Sequence, residues 1–245
     1  LIEKTILSVT EQSYKNIEHI VIDGGSTDGT VDVIRKYSHV IAHWVSEDDD
    51  GIYYAMNKGI LLSSGEWLNF MNAGDIFYDW NTVSNAVSTI NLSQKNPAIA
   101  YGGVAERDGD GQLMIKRAKT AKWLYYGQFA SHQSMFFRKR VIQNGYDTQY
   151  RISADYALVA EIYRAHGNFL ALGFPVAIFD TSGVSARYAE IGRNEYFWIR
   201  VHSMGLPMWL SLMVSIMQKM SWLLRVRYPR VFYSLLFKKN KIIHD

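Results

Sequence analysis

Three short apolar runs near the start of the chain each end in carboxylates, and that pattern leaves few folds open. Ile17–Asp23 (I-E-H-I-V-I-D) stops at Asp23, and Val40–Ser46 runs into Glu47-Asp48-Asp49-Asp50-Gly51. Glu66–Asn72 (E-W-L-N-F-M-N) delivers Asp75 through Ala73-Gly74. Between the runs lie two stretches of helical character, Thr30–Tyr37 and Ile52–Leu62. Strand and helix alternating twice over so short a length predict parallel pairing through right-handed crossovers. In the third run Trp67, Leu68, Phe70 and Met71 are nearly continuous, which suits a strand buried on both faces. Ligands of an open α/β sheet bind outside the carboxyl ends of its strands. Three acidic ends side by side on that edge repel one another unless a cation or hydrogen-bond donors intervene. A binding site is therefore expected there, with Asp75 placed to hold a hard divalent cation that also takes phosphate oxygens. The competing reading of Asp75 is a helix cap.

At 245 residues the chain can close one large α/β core, and 48% hydrophobic content with four prolines excludes a disordered protein. Without cysteine it can have neither a disulfide framework nor a thiolate zinc site. Glu3, Lys4, Glu11, Lys15 and Glu18 interrupt the first twenty residues, so no secretory leader is expected. Ile2, Ile6, Leu7 and Val9 already have helical spacing with no strand before them; the chain is expected to begin one element late. Charge is unevenly spread. Eight of the 26 basic residues but one of the 23 acidic ones lie from Arg200 onward, leaving a mildly acidic body and a basic tail. Such a tail suits phosphate-bearing surfaces. The acidic body, with no interleaved basic and aromatic platform, argues against nucleic acid as a partner.

Further along, Asp79–Ile90 reads as a helix, and Ala98–Glu106 and Gln112–Arg117 as strands flanking the turn Asp108-Gly109-Asp110-Gly111. Ser131–Phe137 reads as a strand carrying His132-Gln133. Ala154–His166 reads as a helix with Tyr156, Leu158, Val159, Ile162 and Tyr163 inward and Asp155 in its first turn, where the helix dipole favours an acid. Met204–Leu224 is the most apolar segment. Its uninterrupted part, Leu206–Met217, is shorter than the roughly 20 residues a bilayer span needs. It is read as a helix in the membrane interface, with Trp209 and Trp222 at headgroup level and Arg225, Arg227 and Arg230 beyond. The alternative is a helix packed on its own domain.

Val21–Thr30 (V-I-D-G-G-S-T-D-G-T), joined to Ser46–Gly59 and Asn72–Asp75, resembles the family 2 glycosyltransferases. The resemblance is closest to bacterial enzymes that build O-antigen, capsule and colanic-acid-type polysaccharides. It covers residues 1–187 and leaves 188–245 as a C-terminal amphipathic, basic helical region. It implies the GT-A fold, a Rossmann-like α/β architecture with a mixed, mainly parallel sheet and flanking helices. It further implies a nucleotide-sugar donor (a UDP-sugar ranks first), a divalent Mn2+ or Mg2+ ion, and inversion at the anomeric carbon. By position, Asp23 matches a contact to the base or ribose, Asp49 an acid facing the nucleoside, and Asn57-Lys58 a segment near the ribose and diphosphate. Asp75 matches the last acid of the metal-binding region, His132-Gln133 a pair near donor sugar or acceptor, and Asp155 the catalytic base. Asn72, Gly74 and Tyr54 stand where relatives often carry acids, and the family's first strand and its nucleotide-binding loop are missing. The apolar run and basic tail, from Leu206 to Lys241, are expected to attach the protein peripherally to the anionic, cytoplasmic face of a bacterial plasma membrane, where a lipid-linked glycan would be the acceptor. Two other readings stay open: a sugar nucleotidyltransferase, which would release diphosphate, and a non-catalytic, phosphate-binding peripheral membrane protein.

Overall fold

The computed structural model describes residues 1–107, 113–179 and 188–227. The turn at 108–111, the boundary near residue 187 and the basic tail beyond 227, Arg230 included, lie outside the described residues. The chain opens with helix α1 (Ile2–Thr10), strand β1 (Ile20–Asp23), helix α2 (Thr30–Lys36) and strand β2 (His43–Ser46). Helix α3 (Ile52–Leu62), strands β3 (Trp67–Asn69) and β4 (Ile76–Phe77) and helix α4 (Thr82–Leu92) follow. Then come β5 (Ile99–Arg107), β6 (Leu113–Lys116), β7 (Met135–Arg138), helix α5 (Ala154–His166) and β8 (Phe169–Phe179). Two helices, α6 (Ala189–His202) and α7 (Met208–Arg227), close the described chain.

The mixed α/β class expected from the sequence is what forms, but its pairing is less parallel than the alternation predicts. β1 and β2 pair in parallel as a two-stranded unit, with Asp23 opposite Ser46. The other six strands form a second sheet in the order β3-β7-β5-β8-β4, with β6 beside β5. In it, among the described residues, only β5 and β8 run parallel; β3–β7, β5–β7, β4–β8 and β5–β6 are antiparallel. Among the described residues, then, the third acidic strand end does not lie beside the first two in one sheet. The reason is that β3 takes its partner, β7, from residues far along the chain, and local alternation carries no record of that.

Strand periodicity builds the core. Met135 and Phe137 of β7 face one way, with Ile99, and meet Ala154, Tyr156, Val159 and Ile162 of α5. Phe136 and Ala100 face the other way and meet Val83, Ala86 and Ile90 of α4 with Leu172 and Val176 of β8. A third cluster joins Ile6 of α1 to Val21, Ile34 and Ile41. The longest strand, β8, escapes a sequence reading because Gly173 and Pro175 break its apolar run. There the register with β5 shifts, and a side chain at Gly102 would collide with the carbonyl of Phe174. His132-Gln133 is also corrected: the pair lies on a 3-10 turn, His132–Ser134, immediately before β7. Among the described residues no helix is long and apolar enough to cross a membrane.

Candidate active site

Parallel pairing of β1 and β2 brings two acidic loops together. The Asp23 carboxylate is buried and accepts hydrogen bonds from the Ser26 amide at 3.0 Å and the Ser46 hydroxyl at 2.7 Å. Burial pushes its pKa up, but these bonds outweigh it, and the net shift is below the usual carboxylate value. Asp49 lies across from it: a side chain added at Gly24 would meet the Asp49 carboxylate oxygen at 2.8 Å. Gly25, at φ +79°, adopts the left-handed conformation and leaves room for Asp48. The Asp49 carboxylate also accepts from the Gly51 amide at 2.9 Å, at the start of α3. Lys58, further along α3, pairs with Glu47 of the same acidic loop at 2.7 Å. Asn57 points elsewhere. Its side-chain amide clamps the backbone of Tyr146, donating to the carbonyl at 2.9 Å and accepting from the N–H at 2.6 Å.

Helix α3 also reaches Asp155. The hydroxyl of Tyr53, in its first turn, donates to the Ile152 carbonyl at 2.7 Å and lies 3.2 Å from Asp155 Oδ1. The Tyr156 amide donates to the same oxygen at 2.8 Å, and Gln128 Nε2 donates to Oδ2 at 3.3 Å. Half-buried Asp155 is thus held on both oxygens at the N-terminus of α5. Glu195 of α6 finishes that helix start by accepting from the amides of Arg151, Ile152 and Ser153 at 2.7, 3.1 and 2.8 Å. Beneath it, Tyr53 stacks on Tyr146 at 5.4 Å, and the Tyr146 hydroxyl bonds His132 Nε2 at 2.7 Å. Burial lowers the His132 pKa, against the opposing pull of Asp155, so the imidazole is held neutral. The same burial, with Asp155 nearby, raises Tyr53 and Tyr146, keeping both phenols protonated. Gln133 is buried, and Asn69 of β3 donates to its carbonyl at 3.0 Å and to that of Met135 at 2.9 Å. Tyr53, Gln128 and Glu195 were not singled out from the sequence; nothing local marks a residue whose partner lies tens of positions away.

Asp75 is positioned separately, by α1. The Thr5 hydroxyl donates to the Asp75 carbonyl and accepts from the Gly74 amide, both at 2.9 Å. The Asn72 amide donates to Asp75 Oδ2 at 3.3 Å, and the residue is only 3% exposed. It lies between β3 and β4, so the helix-cap reading does not hold. Among the described residues, no three His, Asp or Glu side chains gather into a group that could hold a metal by themselves. A single anchored carboxylate fits a cation that brings most of its ligands with it, as Mg2+ does when it binds through one or two carboxylates and substrate phosphates.

Comparison with known proteins gives this mixed α/β fold its class: it is the GT-A fold of glycosyltransferases. Residues 1–159 match the model of the glycosyl transferase family 2, and the chain belongs to that family. It is 34% identical over 206 residues to an uncharacterised glycosyltransferase of Mycobacterium tuberculosis, covering 76% of this chain and 72% of the relative. It is also 28% identical over 164 residues to a PGL/p-HBAD biosynthesis glycosyltransferase of Mycobacterium bovis, covering 61% of this chain and 59% of the relative. Among solved structures, S. aureus TarS 1-349 in complex with UDP superposes with a TM-score of 0.65 at 16% identity, over 98% of this chain and 72% of that one. The mannosyltransferase PcManGT of Pyrobaculum calidifontis, in complex with GDP-Man and Mn2+, gives 0.62 at 17% identity, over 88% and 69%. Family membership decides for a glycosyltransferase over the nucleotidyltransferase and the non-catalytic readings.

Proposed function

We propose that the protein transfers a sugar, with inversion, from a nucleoside-diphosphate sugar to a hydroxyl of a lipid-linked glycan, and that Asp155 is the general base. A UDP-sugar is the first candidate donor, supported by the UDP held by TarS. The observation that carries the reading is the Asp155 carboxylate, held on its two oxygens by the Tyr156 amide and Gln128 with the Tyr53 hydroxyl 3.2 Å away, next to the helix that starts from the acidic loop. An acceptor hydroxyl is a poor nucleophile near neutral pH, and a carboxylate that takes its proton as the bond forms contributes about 10²–10⁴-fold. Inversion needs one attack opposite the leaving group, hence one such carboxylate and no covalent intermediate. Asp23 and Asp49 suit the ribose and base, to whose hydroxyl and N–H groups carboxylates act as acceptors. Lys58, bridged to Glu47, stands on α3 where it can turn toward phosphate; Asn57 shapes the site through Tyr146. Neutral His132 and Gln133 line the turn on which sugar hydroxyls would be read. Asp75 would hold the divalent cation, Mn2+ or Mg2+, which when bound with the diphosphate offsets the charge of the leaving group. The setting proposed is the inner, cytoplasmic face of a bacterial plasma membrane, in surface polysaccharide or glycolipid synthesis.

Asp155→Asn tests the assignment, since it keeps the size and cannot take the proton. Donor affinity should stay within a few-fold while transfer falls by about 10²-fold or more. Undiminished transfer by this variant would remove Asp155 from the role.

A further inference from the structure

Helix α7 is amphipathic in the reverse sense. Of the positions it turns inward, Ser211, Ser215 and Gln218 recur at helical spacing and are polar, with Leu210 and Val214 half-buried beside them. The three polar side chains close on Arg200 of α6, whose side chain is wholly buried at 0% exposure. Arg200 Nε donates to the Ser211 hydroxyl at 3.2 Å and a terminal nitrogen donates to the Ser215 hydroxyl at 2.6 Å. The other terminal nitrogen lies 3.4 Å from the Tyr126 carbonyl and 3.5 Å from Gln218 Oε1. All four acceptors are neutral, so the buried charge is held by dipoles. The outward positions are apolar: Trp209, Leu212, Met213, Ile216, Met217 and Met220 are between 50% and 64% exposed.

A helix docked on a domain that meets only water turns its apolar stripe inward. The reversed order is stable where the outer medium is itself apolar, and a contiguous apolar patch of this kind marks a contact surface. Charge selects the contact. α7 contains no Asp or Glu, and its charged residues, Lys219, Arg225 and Arg227, are all basic. A two-fold dimer through this face would set like charges against one another, because each patch meets its own copy; an anionic lipid surface complements them. Trp209, 64% exposed on the same outward side, supplies the aromatic anchor favoured at headgroup depth, while Trp222 falls on the latched side, its ring under the Arg193 guanidinium.

We infer that α7 lies flat in the headgroup layer of an anionic phospholipid bilayer, its Met213–Ile216–Met220 side inserted and its serine side latched to the catalytic domain by Arg200. This deepens the membrane setting proposed above and does not depend on the assignment of Asp155.

Flotation of the full chain with phosphatidylcholine vesicles, with and without phosphatidylglycerol, tests it. Wild type should float with the anionic vesicles and release as salt rises. A Met213→Glu, Ile216→Glu double variant, altered only at exposed positions, should partition about tenfold less or lower, with unchanged melting and UDP binding. A Lys219→Glu, Arg227→Glu variant should lose the preference for phosphatidylglycerol. Three results would overturn the inference. One is wild-type protein left unbound by the anionic vesicles. The others are equal flotation of the double variant and a lipid-free dimer, seen by light scattering, that Ile216→Glu dissociates. Loss of UDP binding in wild type would instead strike the proposed function and leave this inference standing.

Discussion

His19 stands just before β1 and Asp23 at its end, and burial acts on them with different outcomes. Around His19 nothing offsets desolvation: its Nδ1 is buried with no hydrogen-bond partner among the described residues, and its pKa is pushed down from 6.5 to about 4. At Asp23 donated hydrogen bonds win and the carboxylate is stabilised. Both folded values lie below the unfolded ones, so each contribution is full at high pH and fades on acidification. For His19 the window runs from about pH 6.5 down to about 4, where the unfolded chain binds a proton that the folded chain refuses. The melting temperature of wild type should therefore fall across that window, and His19→Leu should flatten the slope. An unchanged slope in scanning calorimetry would show that His19 is not the group responsible. For Asp23 the loss comes lower, as pH falls through its depressed value.

Among the elements, α1 and α7 do the most to set geometry away from their own sequence. Adjacent residues of α1 face two structures: Ile6 enters the cluster under β1 and α2, while Thr5 holds the turn that presents Asp75. Thr5→Val keeps the shape and removes the hydroxyl, leaving the Gly74 amide without its acceptor. A loss of about 1–2 kcal/mol in stability is expected, together with weaker metal-dependent nucleotide binding. Thr5→Ser should restore both, as read by urea melts and calorimetry. In α7 the latch can be cut at Arg200. Arg200→Leu strands Ser211, Ser215 and Gln218 against an apolar side chain, at a cost of about 2 kcal/mol or more. Hydrogen exchange should accelerate in α7 while α5 stays protected. Equal protection of α7 would mean that its other contacts suffice to dock it.

For the molecule as a whole, what matters is how ligands assemble. With one anchored carboxylate and no three-residue metal cluster among the described residues, Mn2+ is expected to bind weakly to the protein alone and tightly only with UDP. Calorimetry of UDP with and without Mn2+ measures this, and Asp75→Ala should abolish the metal-dependent gain. If the variant keeps wild-type affinity with the metal present, Asp75 is not the ligand.

Where a property depends on neighbours along the chain, the sequence determined it. Helices α3 and α5 occupy the very residues that apolar spacing marks, Ile52–Leu62 and Ala154–His166, because helix formation is a matter of contacts three and four residues apart. The strand-end acids and the start of α5 were legible for the same reason. What needed the tertiary structure was everything decided at long range. Strand β3 chose β7 as its partner; Asp155 found Tyr53 from 102 positions away and Gln128 from 27. Periodicity announces that α7 has two faces but cannot say which one turns inward. The buried charge of Arg200 decides that, because a guanidinium out of water must be hydrogen-bonded, and the serines of α7 supply the acceptors.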